Sequence, residues 1–213
     1  MPRRVDEFRG LTQLSRLKLL RAIQVSPDST LHELVDETGL HANTVREHLQ
    51  ILEDEGLIAS TTVHRGTRGR PPVIYHAVAA PAESAAAQRR IRLSLEHGDL
   101  LRRVAPELDH TAELGEAAVH QLDALYEHLE DAGLQPDIDD RSLSVGLIPC
   151  PYHTVVDEEQ DLVCHVHEQL IADVLAQVPG PVRMREVRPF TTPHSCAVLL
   201  ELRAAPPQQS EPV

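Results

Sequence analysis

Between residues 30 and 78 the sequence is cut into short pieces by its own start and stop signals. TLHELVDETG (30–39) opens on a threonine with Glu33 three residues later, the pattern of a capping box, and closes on a glycine suited to a left-handed cap. After a short turn, HANTVREHLQILEDEG (41–56) sets Val45, Leu49 and Leu52 on one helical face and stops at Gly56. LIASTTVH (57–64) is rich in β-branched residues, RGTRGRPP (65–72) is a basic Gly/Pro-rich loop, and VIYHAV (73–78) reads as a second strand. Upstream, LTQLSRLKLLRAIQ (11–24) repeats Leu14, Leu17, Leu20 and Ile23 at helical spacing.

Helix, helix, short turn, helix and a hairpin with a basic tip is the order of a winged helix-turn-helix, whose second paired helix enters the DNA major groove. On that reading Asn43, Thr44, Arg46 and Glu47 project outward from the recognition helix. Asparagine pairs with adenine, arginine with guanine, and threonine suits a phosphate or a thymine methyl. Arg65, Arg68 and Arg70, beside His64, form the tip of the wing, and Gly69-Arg70-Pro71 gives a slim backbone suited to a narrow A·T-rich minor groove. The net charge of −13 excludes a protein that coats nucleic acid indiscriminately. Residues 1–80 are balanced, with ten Lys/Arg and ten Asp/Glu, so the whole acidic excess lies in 81–213. Such asymmetry predicts two modules with different partners. A fold used only for protein contacts accounts poorly for three arginines in six residues of an acidic chain.

The remainder predicts an α+β protein. AVAAPAESAAA (77–87) reads as a linker, and IRLSLEHGDLLRRVAPEL (91–108) as a helix up to Pro106 with Gly98 as a weak point. AELGEAAVHQLDALYEHLEDAG (112–133) carries Leu114, Ala118, Leu122, Leu125 and Leu129 in a stripe that suits a helix–helix seam, within the subunit or across a dimer. SLSVGLI (142–148), VRMREVRPF (182–190) and CAVLLEL (196–202) read as strands, and a helix from about Glu158 turns Leu162, Val166, Leu170, Val174 and Val178 inward. The expected division is a DNA-binding domain over 1–80, a linker with dimerisation helices over 81–135, a small α+β cysteine-containing sensor domain over 136–204, and a disordered Pro-rich tail over 205–213. No apolar run is long enough to span a bilayer, and MPRRVDEFRG lacks the apolar core of a signal peptide. Three cysteines fit a disulfide framework poorly, so the expected location is cytoplasmic with no membrane partner.

CPYHTVVDEEQDLVCHVH (150–167) gathers two of the three cysteines and three of the thirteen histidines. Cys150 and Cys164 are separated by thirteen residues, and Cys164 and Cys196 by thirty-one, spacings unlike those of compact zinc ribbons. A metal or iron–sulfur site, a Cys150–Cys164 redox pair and inert buried cysteines all remain open on spacing alone. If a metal is held, His167 lies three residues after Cys164 on the same helix face, and His153 has the same offset from Cys150. His165 is adjacent to Cys164 and points about 100° away, so it is the weakest ligand. A zinc hydrolase built on His153, His165 and His167 with Glu158 or Glu159 as base fails, because the rings diverge and no oxyanion or substrate motif accompanies them. No enzyme is expected.

GLHANTVREHLQILEDEGLI followed by HRGTRGRPPVIY resembles the ArsR/SufR-like winged helix-turn-helix regulators. CPYH, LVCHVHEQL and the strand bearing Cys196 resemble the sensor domain of the SufR-like branch, so the resemblance covers about 11–203. It implies a homodimeric transcriptional regulator and redox sensor that binds a double-stranded operator. It also implies an iron–sulfur cluster, 4Fe-4S rather than 2Fe-2S, on Cys150, Cys164 and Cys196. Some members of that branch carry four cysteines and this chain has three, which leaves His167 or His153 to complete the set. Zinc on the same residues is the alternative.

Overall fold

The computed structural model describes residues 13–64, 71–131, 134–139, 141–148, 156–192 and 195–203. Helix α1 (Leu14–Val25) is followed by a two-residue strand β1 (Ser29–Thr30), α2 (Leu31–Thr38) and α3 (Ala42–Asp54). The capping box forms as the sequence predicts: the Thr30 amide donates to the Glu33 carboxylate at 2.7 Å and the Glu33 amide to Thr30 Oγ1 at 3.4 Å. Gly39 closes α2 in the left-handed conformation at φ 66°. Strands β2 (Ile58–Thr62) and β3 (Val73–Ala77) pair antiparallel, and β1 joins the far edge of β3. The core under them holds Leu17, Leu20 and Ile23 of α1, Leu34 of α2 and Val45, Leu49 and Leu52 of α3.

Beyond the wing, α4 (Ala85–Val104) starts six residues earlier than the sequence predicts and absorbs the last three residues of the expected linker. The alanine-rich run that reads as linker composition is also the best helix-forming composition, and Ser84 caps it by accepting the Ala87 amide at 3.3 Å. Gly98 is no weak point. It is buried against α6, where a Cβ would overlap the Asp123 carboxylate. The helix expected over 112–133 is two helices, α5 (Thr111–Leu114) and α6 (Glu116–Asp131), because Gly115 adopts φ 84°, which interrupts a helix.

The second sheet is antiparallel in the order β4-β5-β7-β6, with β4 (Gln135–Asp139), β5 (Ser144–Ile148), β6 (Val182–Thr192) and β7 (Ser195–Leu202). Strand β4 was not expected. QPDID holds a proline and two aspartates, and it forms as an edge strand, where a missing amide donor is tolerated. Helix α7 (Val156–Gln177) connects the two hairpins and carries a non-helical residue at Glu159.

The packing groups these elements differently from the division at 81–135 and 136–204. The α6 stripe of Ala118, Leu122, Leu125 and Leu129 packs with Val145 and Leu147 of β5, Val198 and Leu200 of β7, and Ile171 and Leu175 of α7. That stripe is therefore buried within the subunit. Helix α7 belongs to two cores at once, because Val163, Val166 and Leu170 join the core of the helix-turn-helix. Burying three such side chains contributes on the order of 5 kcal/mol, enough to hold the two halves together. Lys18 Nζ to Glu159 Oε1 at 2.7 Å ties α1 to the start of α7, and Gln177 Nε2 donates to the Val78 carbonyl at 2.8 Å at its end. Among the described residues no helix is long and apolar enough to cross a membrane.

Candidate functional site

The candidate recognition surface is the exposed side of α3. His41 caps the helix, its Nδ1 accepting the Asn43 amide at 3.2 Å. Val45, His48, Leu49 and Leu52 are buried, which turns Asn43, Arg46 and Glu47 to solvent and leaves Thr44 half-buried. Arg46 Nη1 donates to Asn43 Oδ1 at 2.9 Å, so the two base-reading candidates stand together as a pre-formed pair. A guanidinium already restricted in this way loses less side-chain entropy when it meets a base edge. Gln50, one turn on and exposed, extends the same face, and its Nε2 donates to Asp54 at 2.9 Å. It is not among the residues that the sequence singles out for DNA contact.

His48 is the buried polar residue of this helix, and Ser15 Oγ lies 2.9 Å from its Nε2. Burial, and then the nearby Arg16 charge, lower its pKa. This contact fixes α3 against α1, so the depth at which α3 presents Asn43 and Arg46 depends on α1. On the wing, the Val63 amide donates to the Pro72 carbonyl at 2.9 Å, closing the hairpin below its tip. Arg65, Arg68 and Arg70 lie outside the described residues.

A second site lies between α7 and the second sheet. Cys164 and His167 of α7 and Cys196 of β7 line one small cavity of about 30 Å³, together with Val163, Leu147 and Phe190. The structure thus brings together three of the five predicted ligand residues, while Cys150 and His153 lie outside the described residues. His165 is exposed on the other side of α7, as its offset from Cys164 predicts. Cys164 and Cys196 are not joined in a disulfide. Burial, and then the neighbouring Cys196, push the Cys164 thiol up, so forming its thiolate calls for a compensating cation. Burial pulls His167 down to about 4, so its ring is neutral at pH 7, the form in which imidazole coordinates a metal.

Phe190 supplies an independent sign that this wall is under constraint. It adopts φ 54°, a region in which a bulky side chain is strained, within an irregular stretch of the β6–β7 ladder between Arg188 and Thr192. It also packs against the helix-turn-helix core, as does Leu162. The donor chemistry of two thiols and a neutral imidazole fits a soft ion. Among the described residues, however, no three His, Cys, Asp or Glu side chains stand close enough to hold one.

Residues 14–59 match the model of the winged helix-turn-helix DNA-binding family. No curated protein and no solved structure matched the chain. The N-terminal part of the molecule is therefore a winged helix-turn-helix DNA-binding domain, the module on which α3 displays its exposed Asn43–Arg46 pair.

Proposed function

We propose that the protein is a homodimeric transcriptional regulator, acting in the cytoplasm and without an enzymatic step, whose operator affinity follows the state of the thiol–imidazole site on α7 and β7. One observation carries this reading: α7 bears Cys164 and His167 at the cavity while its Val163, Val166 and Leu170 complete the core that supports the recognition helix. Anything that draws Cys164 toward Cys196, or releases it, displaces the helix against which α1 rests. Because His48 fastens α3 to α1, that displacement reaches Asn43 and Arg46. Dimerisation would use the outer face of α4, where Leu100 and Val104 are exposed. It would set the two recognition helices about one DNA turn apart.

The residues that would hold a group at this site are Cys164, Cys196 and Cys150, with His167 or His153 completing the set. The resemblance to SufR-like regulators supports an iron–sulfur cluster, 4Fe-4S rather than 2Fe-2S. When bound it would supply a covalent tie between α7 and β7 that oxidation can release. A single zinc ion is the second reading, because three cysteines and one histidine are a common zinc-ligand set.

Two measurements test the proposal. Against a duplex selected from random sequence, Arg46→Ala is expected to weaken binding about 10- to 100-fold, the loss of one bidentate base contact. Fluorescence anisotropy reads this directly, and unchanged affinity removes α3 as the reading helix. Anaerobically purified protein is expected to carry iron with acid-labile sulfide, or zinc on the second reading. Cys164→Ser and Cys196→Ser are each expected to abolish that content and to change operator affinity. Full metal content in both variants, or none in the parent, overturns the site.

A further inference from the structure

A cleft of about 570 Å³ lies between α4, α6 and β4, remote in sequence from both sites above. That volume falls within the range of small-molecule sites, about 300–1,000 Å³. Leu101 of α4, Val119 and Leu122 of α6 and Ile138 of β4 give it an apolar lining. Four carboxylates, Asp123, Glu127, Glu130 and Asp137, stand in the same wall, and the only arginine or lysine facing them among the described lining residues is Arg102. That guanidinium is already committed: it donates to Asp123 at 3.0 and 2.9 Å and to Asp99 at 2.7 Å. Glu127 has His97 at 3.4 Å, and Glu130 accepts the Tyr126 hydroxyl at 3.0 Å. Asp137 makes no ion pair among the described residues, and the described lining holds more negative than positive charge.

The carboxylates are not spaced for a metal ion, since no group of three metal-binding side chains comes together among the described residues. An apolar lining under a net negative charge suits a different ligand. We propose that the cleft binds a small organic cation with an aromatic or aliphatic body. The body would lie on Leu101, Val119, Leu122 and Ile138, and the charge would sit among Glu127, Glu130 and Asp137. Tyr126, 40 % exposed in this wall, offers a ring for a cation–π contact in a chain with only 2 % aromatic residues. The apolar residues of α4 left for a second copy, Leu100 and Val104, are not part of the lining, so the cleft and that strip are separate surfaces.

The test uses the full chain, rhodamine 6G as the cation and fluorescein as an anion of similar size. Both dyes are excited in the visible, where protein side chains do not absorb, so their anisotropy reads binding directly. Rhodamine 6G is expected to bind saturably with one site per chain, to be displaced by tetraphenylphosphonium, and to bind at least about tenfold more tightly than fluorescein. Glu127→Gln with Asp137→Asn is expected to weaken rhodamine binding about tenfold or more while the thermal midpoint and operator affinity hold. Equal binding of the two dyes, or unchanged rhodamine binding by the double variant, overturns the proposal. Absence of binding, with a weakened dimer in the double variant, also overturns it and assigns the cleft to a second copy. Dye binding is read without DNA, so its outcome is separate from that of the regulator reading.

Discussion

Replacing Gln121 with leucine is expected to lower the unfolding free energy by about 3–5 kcal/mol, a large share of the stability of an ordinary domain. Gln121 is fully buried in α6, in the middle of an otherwise apolar seam. Its Nε2 donates to the Leu175 carbonyl at 2.7 Å and to the Val182 carbonyl at 3.2 Å, while its Oε1 accepts the Val182 amide at 2.7 Å. One amide side chain thus satisfies three backbone groups where α7 ends and β6 begins. Leucine fills a similar volume and satisfies none of them, so each is left buried without a partner at about 1–3 kcal/mol. Gly180→Ala should disturb the same point, because a Cβ there would sit 2.6 Å from the Ala117 carbonyl oxygen and overlap the Gln121 amide. Urea unfolding followed by circular dichroism decides the matter. A Gln121→Leu protein within about 1 kcal/mol of the parent would show that these bonds contribute little.

Acidification is expected to have a comparable effect on metal-free protein. Three buried imidazoles are held below their ordinary value. His167 is brought to about 4 by burial. His128 is lowered by burial and then by Arg90 and His167, and His48 by burial and then by Arg16. In the unfolded chain these rings titrate near about 6.5. Below that pH the unfolded chain takes up protons that the native protein cannot accept, so stability is fully present above about pH 6.5 and declines toward pH 4. His167 alone accounts for a loss on the order of 3 kcal/mol across that window. Asp123 and Asp173, raised chiefly by burial, act in the opposite sense because they protonate more readily in the folded protein. Unfolding of chelator-treated protein at a series of pH values from 7 to 4.5 should show the decline, and His167→Gln should flatten it. Stability that holds level or rises over this range would contradict the assignment.

Both effects arise at residues that are hard to single out in a sequence. Gln121 lies one position before Leu122, and nothing local distinguishes it from a solvent-facing glutamine. Its role exists only because the end of α7 and the start of β6 meet above it. The inward set read from the sequence of α7 is buried or packed on the core but incomplete, for a related reason. A single inward stripe predicts Leu162, Val166, Leu170, Val174 and Val178, yet Val163, Ile171 and Leu175 are also buried. A helix packed on two sides buries more than one stripe, so its periodicity is blurred. The same holds for α1, where Arg16, Leu17, Leu19, Leu20, Ala22 and Ile23 are all buried between α2, α3 and α7.

The sequence by itself determined the helix-turn-helix and its hairpin, down to the Thr30–Glu33 capping box, the Gly39 cap and the outward set of Asn43, Arg46 and Glu47. Those features depend on contacts within a few residues, and caps, turns and a single-sided apolar face are written locally. It also singled out Cys164, His167 and Cys196 by chemistry, without being able to bring them together. Only the tertiary structure decided that α6 is buried within the subunit, that Gln121 holds three backbone groups, and that α7 carries the thiol–imidazole cavity while completing the DNA-binding core. These are contacts between residues scores of positions apart, set by how the faces of whole helices fit against one another, and no short stretch of sequence encodes them.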